Sequence, residues 1–317
     1  ARQRFQPREE LGKGVGLDQV IVAAGTQSGH TIINFAQCRQ NQNRGLVLIR
    51  AQHAHHRQTL TFRQQAVRHD HIVTSGERQR QAIIAIGGNG TFKGIHSLCD
   101  MIPTSIQVFF VPVTIDSDVA GTDCIGQYTG VEMGAEKIRC FMADARTHKR
   151  IYIIEMMGAN SGFHALHSCL GARAHMAVLP NSMIDHRKVV EAFNKRDECV
   201  VVVAEGYKKK ERDAKGIEDN AAEYFYRELV ATGIKIKRRV VCEPFSRDIR
   251  GAAPNNMDIS LAQRMAYHVA SYLKAGTSRL MPAVQSGREY AIPFNEIETD
   301  NLKEGNLMVL ADRLTGN

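Results

Sequence analysis

The stretch AIIAIGGNGTFKG (82–94) is the part of the sequence that best indicates the fold. It opens with an apolar, isoleucine-rich run that has the length of a buried strand. The run stops at Gly87 and Gly88, and the residues after them continue as a helical stretch. A buried strand, a glycine turn and a helix form the start of a βαβ unit, so this stretch predicts an α/β fold with a parallel sheet.

Three more stretches repeat the pattern of an apolar run that ends in polar or glycine-containing residues. They are IQVFFVPVT (106–114), RIYIIEMMG (150–158) and ECVVVVAEG (198–206), with helical stretches between them. Strands that alternate with helices predict right-handed crossovers and mostly parallel sheets. We therefore expect ligands to bind at the carboxyl edge of the strands.

The net charge of +8 is concentrated in one part of the chain. Residues 1–85 hold 12 Lys and Arg against 5 Asp and Glu, whereas residues 86–317 hold 29 against 28. The first segment is also rich in Gln, Arg and His, and several interpretations of it remain open. It could be an ordinary surface, an arm that binds polyanions, a metal site at HAHH (53–56) with His69 and His71, or a foreign or mis-assigned N-terminus. No basic face interleaved with aromatic residues is present, so we expect no nucleic-acid binding.

The sequence predicts a soluble, cytoplasmic protein. No apolar run is long enough to cross a bilayer, and no signal-peptide pattern opens the sequence, so we expect no membrane association. The seven cysteines are dispersed and show neither C-x-x-C spacing nor a His/Cys ligand pattern. Such a set is typical of a reducing compartment.

The stretch VPVTIDSDVAGTD (111–123) is the most informative about chemistry. A strand that ends near Thr114 would leave Asp116 and Asp118 at the carboxyl edge of the sheet. One carboxylate there can accept a proton while the other holds a magnesium ion or orients a phosphate. The alternative is an Asx turn that caps the following helix.

Two glycine-rich stretches are candidate phosphate sites. In IGGNGTFKG (86–94), the glycines allow backbone N–H groups to approach a phosphate at the start of a helix. GKGVG (12–16) is weaker, because it lacks the hydroxyl of a Walker loop and follows no strand.

The order of these motifs resembles the 6-phosphofructokinase family. GGNGT, PVTIDSD with GTD, RIYIIEMMG, VVAEG and IRGAAP follow one another between about Ala82 and about Arg288. The resemblance implies an α/β fold of two Rossmann-like, doubly wound parallel-sheet domains. It also implies phosphoryl transfer from ATP or pyrophosphate to the 1-hydroxyl of fructose 6-phosphate, with Mg²⁺, in a homo-oligomer that is a tetramer or a dimer.

The resemblance further implies a role for each matched residue. Asp116 would be the general base, with Thr114 beside it, and Asp118 would serve the magnesium and phosphate side. Arg150 would reach the sugar phosphate of a neighbouring subunit. The implied catalytic residues are Thr114, Asp116, Asp118 and Arg250; the substrate residues are Arg150, Met157, Gly158, Glu205 and Arg247; the donor-phosphate residues are Gly88, Asn89, Gly90 and Thr91; Asp118 and Asn89 lie nearest the metal.

The chain departs from the family pattern at several positions. Asn89 stands in place of an aspartate, and Ala159 in place of an arginine that follows M-G. Arg247 stands near a sugar-contacting histidine of the family. The N-terminal 81 residues do not match, and only AAGTQSGHTIIN (23–34) faintly echoes the family's nucleotide-binding opening.

The donor and the activity therefore have alternatives. Gly90 favours ATP over pyrophosphate, whereas Val113 matches neither subgroup of the family. A non-catalytic or regulatory homologue that binds sugar phosphate or nucleotide is the second hypothesis. A related sugar or nucleoside kinase with a smaller acceptor is the third. The expected domains are a larger, phosphate-donor domain over 1–127, a sugar-phosphate domain over 128–253, and a helical return with the C-terminal segment over 254–317.

Overall fold

The computed structural model describes residues 21–27, 30–36, 45–50, 81–244, 247–299 and 311–315. The GKGVG stretch and the HAHH stretch with His69 and His71 lie outside the described residues. The strands are β1 (Ile21–Gln27), β2 (His30–Ala36), β3 (Gly45–Arg50), β4 (Gln81–Gly87), β5 (Gln107–Pro112), β6 (Ile151–Met156), β7 (Met176–Val178), β8 (Cys199–Ala204), β9 (Val240–Pro244), β10 (Leu280–Gln285) and β11 (Arg288–Pro293). The helices are α1 (Asn89–Leu98), α2 (Gln127–His148), α3 (Phe163–Ala172), α4 (His186–Asn194), α5 (Lys209–Ala214), α6 (Ala221–Val230) and α7 (Asn256–Ala275).

The first sheet has the strand order β11-β10-β5-β4-β3. β4, β5 and β10 run parallel, and β3 and β11 pair antiparallel at the two edges. α7 covers one face, where Leu261 and Met265 share a cluster with Phe109. α1 covers the other face, where the rings of Phe92 and Phe110 lie 5.2 Å apart. β5 is therefore buried along its whole length, as its uninterrupted apolar run predicted.

The second sheet has the order β7-β8-β6-β9, and every pair in it is parallel. On one face, Ile138 of α2 shares a cluster with Val202 of β8. On the opposite face, Phe193 of α4 and Phe225 of α6 share a cluster with Val201. Each sheet thus has helices on both faces, and the predicted α/β architecture of two doubly wound units is confirmed.

The carboxylate of Asp258 joins α7 to the start of α2. It is fully buried and accepts hydrogen bonds from the Gly126 N–H at 2.8 Å and from the Thr129 N–H at 2.7 Å. The Thr129 hydroxyl donates to the same carboxylate. The first N–H groups of a helix have no partner within the helix, so Asp258 supplies the cap that α2 lacks in its own sequence. The alternative in which Asp116 or Asp118 forms an Asx turn before this helix remains a prediction.

The helical return after residue 254 contains more than a helix. α7 packs on the first sheet, and the chain then adds β10 and β11 to that sheet. At the front of the chain, β1 and β2 form a separate antiparallel pair. The faint echo of a nucleotide-binding opening at residues 23–34 falls on these two strands and remains a prediction. The domain boundaries at 127 and 253 remain predictions.

No helix in the described part of the chain is both long and apolar enough to cross a lipid bilayer.

Candidate active site

The loop after β5 holds Asp116 through its backbone. The Asp116 N–H donates to the hydroxyl oxygen of Thr114 at 3.1 Å. The Ser161 hydroxyl, from the loop after β6, donates to the Asp116 carbonyl. Residues in the loops after β5 and β6, which belong to two different sheets, therefore hold the N–H and the carbonyl group of Asp116.

The Asp116 carboxyl group lies in a partly buried and negatively charged environment. Its Oδ1 atom is buried and has no hydrogen-bond partner among the described residues. Burial raises the pKa of Asp116 to about 6, and the negative charges of Asp118 and Glu205 act in the same direction. The positive charge of Arg250 opposes this rise. The shift is dominated by desolvation, which disfavours the charged form of a carboxyl group.

Asp118 is buried beside Asp116, with 8% of its surface exposed. The backbone turns sharply between the two residues, because Ser117 adopts a positive φ of 50°. The Ser117 hydroxyl donates to the Gln127 side-chain oxygen at 2.9 Å and so holds this turn against α2. The two predicted carboxylates are therefore neighbours within one turn.

The glycine turn after β4 brings the start of α1 against the Asp116 loop. A Cβ atom at Gly87 would lie 2.3 Å from the Thr91 hydroxyl oxygen, and one at Gly88 would lie 3.3 Å from the Thr114 Cβ. Any larger side chain at Gly87 would displace the first turn of the helix. α1 begins at Asn89 and has no acidic residue in its first turn. Its positive N-terminus suits phosphate groups.

The ends of β6 and β8 are joined by Glu205. One of its carboxylate oxygens accepts from the Gly158 N–H at 3.3 Å and from the Ala159 N–H at 3.2 Å. A Cβ atom at Gly206 would lie 2.5 Å from the Ala159 carbonyl oxygen, so glycine is required there. Met157 is mostly buried directly before this turn. Met157, Gly158 and Glu205 therefore lie together, as predicted.

The segment after β9 contains the two predicted arginines, Arg247 and Arg250. Arg250 lies on a 3-10 helix, Arg247–Gly251, and its charge is close enough to Asp116 to lower the pKa of that group. The backbone of Arg247 begins the same helix, and its side chain lies outside the described residues.

Arg150 is not brought to the site of its own chain. It immediately precedes β6, whereas Met157 immediately follows that strand. Six strand residues span roughly 20 Å at about 3.3 Å each. The Arg150 guanidinium lies 3.8 Å from the Asp144 carboxylate. Within one subunit, Arg150 therefore belongs to the opposite edge of the second sheet.

Arg212 is a site-supporting residue that sequence reasoning missed. Arg212 ends the charged KKKER stretch (208–212), yet it is only 8% exposed. Its guanidinium donates to the carbonyl oxygens of Tyr207 at 3.1 Å, Asp219 at 3.0 Å and Glu205 at 2.5 Å. Lys208 forms an ion pair with Glu228. Both ends of the stretch therefore have partners within the fold.

Ser161 is the second residue that was missed, although it lies in the predicted loop after M-G. It is 3% exposed and contacts Asp116 through the backbone carbonyl of that residue. No sequence pattern signals such a bond, because any residue offers a carbonyl acceptor.

The site offers few ligands for a metal ion. Among the described residues, no group of three or more His, Cys, Asp or Glu side chains is arranged to hold one. Asp118 and Asn89 supply one carboxylate and one amide. Mg²⁺ commonly uses one or two carboxylates and completes its shell with water and substrate phosphates. The residues present therefore fit a magnesium ion that arrives with a phosphate donor.

Comparison with known proteins shows which proteins share this arrangement. The phosphofructokinase family model matches residues 14–273. The match begins before residue 82, so it takes in part of the segment that the motifs leave out, and it ends before residue 288. In particular, the N-terminal segment is not wholly unrelated to the family.

Curated relatives agree with the family model. An ATP-dependent 6-phosphofructokinase of Teredinibacter turnerae is 28% identical over 242 residues, covering 74% of this chain and 68% of the relative. An ATP-dependent 6-phosphofructokinase 3 of Streptomyces coelicolor is 32% identical over 243 residues, covering 69% of this chain and 70% of the relative.

Solved structures show the same fold. Phosphofructokinase of Pichia pastoris in the T-state superposes with a TM-score of 0.61 at 18% identity, over 74% of this chain and 30% of that one. A pyrophosphate-dependent phosphofructokinase of Marinobacter aquaeolei gives a TM-score of 0.52 at 20% identity, over 68% of this chain and 60% of that one. The chain thus spans less than two thirds of either structural neighbour.

Proposed function

Since the chain belongs to the phosphofructokinase family, we propose that it transfers a phosphoryl group from ATP to the 1-hydroxyl of fructose 6-phosphate. The observation that carries this proposal is the state of the Asp116 carboxyl group. Burial and the neighbouring Asp118 raise its pKa to about 6, while Arg250 opposes the rise. A general base is most effective when its pKa lies near the working pH. At neutral pH, Asp116 is ionised and still basic enough to accept a proton.

The residues around Asp116 supply what phosphoryl transfer requires. Such reactions depend on positioning and on stabilising the charge of the transferring group. Asp116 accepts the proton of the sugar 1-hydroxyl while the hydroxyl oxygen bonds to the terminal phosphorus of ATP. The bond between that phosphorus and the departing ADP breaks. Arg250 offers a positive charge to the transferring group. Glu205 binds a sugar hydroxyl, while Met157 and Gly158 line the sugar side.

The donor phosphates are proposed to bind at the start of α1. Gly88 packs against Thr114, and Gly90 and Thr91 lie in the first turn of α1. The names of the curated relatives support ATP as the donor. Pyrophosphate is the alternative, since one structural neighbour is named for it.

Magnesium is proposed to enter with the donor. When bound, it neutralises charge on the phosphate oxygens. Asp118 would hold it, and Asn89 would contribute at most a neutral amide oxygen or a bond to a coordinated water. The rest of the shell would come from phosphate and water.

A homo-oligomer, a tetramer or a dimer, is proposed from the position of Arg150. Arg150 and Met157 flank β6 at its opposite ends, so Arg150 is proposed to meet the sugar phosphate of a neighbouring subunit. A cytoplasmic location is proposed with it, as expected for a chain whose described cysteines are all free thiols.

The test is a product assay with fructose 6-phosphate and Mg²⁺, run in parallel with ATP and with pyrophosphate. We expect fructose 1,6-bisphosphate with ATP, and a loss of about 10²- to 10⁴-fold in Asp116→Asn. Asp100→Asn is the matched control, because Asp100 is exposed at the end of α1. Full activity in Asp116→Asn would remove Asp116 as the base. A panel of smaller sugars and nucleosides tests the third hypothesis in the same assay.

A non-catalytic or regulatory homologue remains the second candidate function, because Asn89 and Ala159 replace two charged groups of the family. It requires binding without turnover. Calorimetric titration of fructose 6-phosphate and of ATP into the folded chain separates the two. Tight binding together with no product from either donor would favour this second function.

A further inference from the structure

Ser161 uses its hydroxyl group in two hydrogen bonds. The group donates to the carbonyl oxygen of Asp116 and accepts from the N–H of Phe163 at 3.2 Å. The Ser161 N–H donates to the Gly158 carbonyl at 3.0 Å. Because the side chain is almost completely buried, water cannot replace these partners. The orientation of the hydroxyl is therefore fixed by the loop between β6 and α3.

The Asp116 carboxyl group gains no comparable support from its own contacts. Its Oδ1 has no hydrogen-bond partner among the described residues. The backbone is held instead, by Thr114 at the N–H and by Ser161 at the carbonyl. The direction of the carboxyl group is then set by the main chain. Of the two residues that hold this main chain, Thr114 and Ser161, only Ser161 lies in a loop that follows a strand of the second sheet.

We propose that Ser161 is a positioning residue, which aligns Asp116 with the acceptor hydroxyl by tying the loop after β5 to the loop after β6. This inference rests on the proposed function. A base must lie within hydrogen-bonding reach of the proton that it removes, and an error of about 1 Å in such a site can cost about 10²-fold in rate. Ser161 does not itself touch the reacting atoms.

The kinetic test compares Ser161→Ala with Ser168→Ala. Ser168 is a fully buried serine of α3 that contacts α2 and makes no hydrogen bond to the Asp116 loop. We expect Ser161→Ala to lower kcat by about 10- to 100-fold, with the KM for ATP within about twofold of the wild type. Ser168→Ala should leave kcat within about twofold.

A double-variant cycle separates positioning from general packing. If Ser161 acts through Asp116, Ser161→Ala should lower kcat no further in an Asp116→Asn background, because the base is already absent. The same fold-loss in both backgrounds would overturn the proposal, and so would an equal loss in Ser168→Ala.

Hydrogen exchange tests the same link without relying on activity. In Ser161→Ala, amides in residues 114–119 and in residues 158–163 should exchange faster than in the wild type, whereas Ser168→Ala should leave both segments unchanged. Unchanged exchange in residues 114–119 would overturn the proposal. If the wild-type chain makes no product with either donor, the proposed function fails, and this exchange result still decides whether Ser161 holds Asp116.

Discussion

The Glu205 carboxylate accepts a hydrogen bond from the Ala159 N–H over 3.2 Å, which ties the end of β8 to the loop after β6. Ala159 adopts a left-handed φ of 47°. This conformation already carries a side chain, so a larger residue at position 159 needs no new backbone geometry. A substitution at position 159 can therefore test the effect of the arginine that the family has there and this chain lacks.

Ala159→Arg is expected to lower the KM for fructose 6-phosphate by about tenfold or more. The reason is that a charge-assisted hydrogen bond contributes about 1.5 to 3 kcal/mol, and about 1.4 kcal/mol corresponds to a factor of ten. Steady-state kinetics measures the effect. Asn160→Arg is the control, because it adds the same charge at the exposed neighbouring position. Equal changes in both variants would show that only general charge attraction is involved.

The acid limb of kcat/KM is expected to move in opposite directions in two variants. In the wild type, activity should fall as the pH drops through about 6, because Asp116 becomes protonated. Glu205 raises the pKa of Asp116 and Arg250 lowers it. Glu205→Gln should therefore move the acid limb to lower pH, and Arg250→Gln should move it to higher pH.

The measurement is a profile of kcat/KM between pH 5 and 8 for the wild type and each variant. Arg250→Gln should also lower kcat, by roughly 10²-fold, because it removes a charge from the transferring group. The exposed-site variant Asp100→Asn should keep the wild-type limb. Shifts of the same sign in the Glu205 and Arg250 variants would contradict the assignment of this limb to Asp116.

Asp258→Asn is expected to destabilise the fold without altering the Asp116 environment directly. Asp258 is fully buried and caps α2 with three hydrogen bonds. An amide can accept at only one of its two heavy atoms, so a donor of α2 loses its partner at a cost of about 1 to 3 kcal/mol. Denaturant unfolding measures the loss.

The matched control for this stability test is Asp185→Asn. Asp185 is an exposed N-cap that accepts from the N–H groups of Arg187 and Lys188. Asparagine caps helices about as well as aspartate, so the control should be nearly neutral. A neutral Asp258→Asn would mean that the buried cap contributes little to the stability of α2.

The strands that sequence analysis found are those that are buried on both faces. β8 is buried at every position, and its run of β-branched valines favours a buried strand. β11 is missed because it is an exposed edge strand, with three exposed residues followed by three half-buried ones. β10 contains Pro282, which argues against a strand in sequence-based reasoning. Edge position, partial exposure and an internal proline therefore set the limit of the fold prediction.

The carboxylates and glycines of the site were predictable for a similar reason. Asp116, Glu205 and Gly88 each follow an apolar run directly, and parallel strands carry such residues to one edge. Ser161 and Arg212 both donate to backbone carbonyl oxygens, of Asp116 and of Glu205. A carbonyl carries no sequence signal, so these two contacts required the structure.

His164 is expected to make the fold less stable at mildly acidic pH. The side chain is fully buried, its Nδ1 lies 3.3 Å from the Met157 carbonyl, and burial lowers the pKa of His164 below its usual value of 6.5. The folded state therefore binds fewer protons than the unfolded state, and stability falls as the pH drops below about 6.5 toward the folded pKa.

His164→Gln should reduce the slope of unfolding free energy against pH by up to about 1.4 kcal/mol per pH unit. His148→Gln is the exposed-site comparison, because the His148 side chain is 48% exposed. Denaturant unfolding at a series of pH values from 5 to 7.5 decides the matter, and equal slopes in wild type and His164→Gln would mean that another group carries the acid sensitivity.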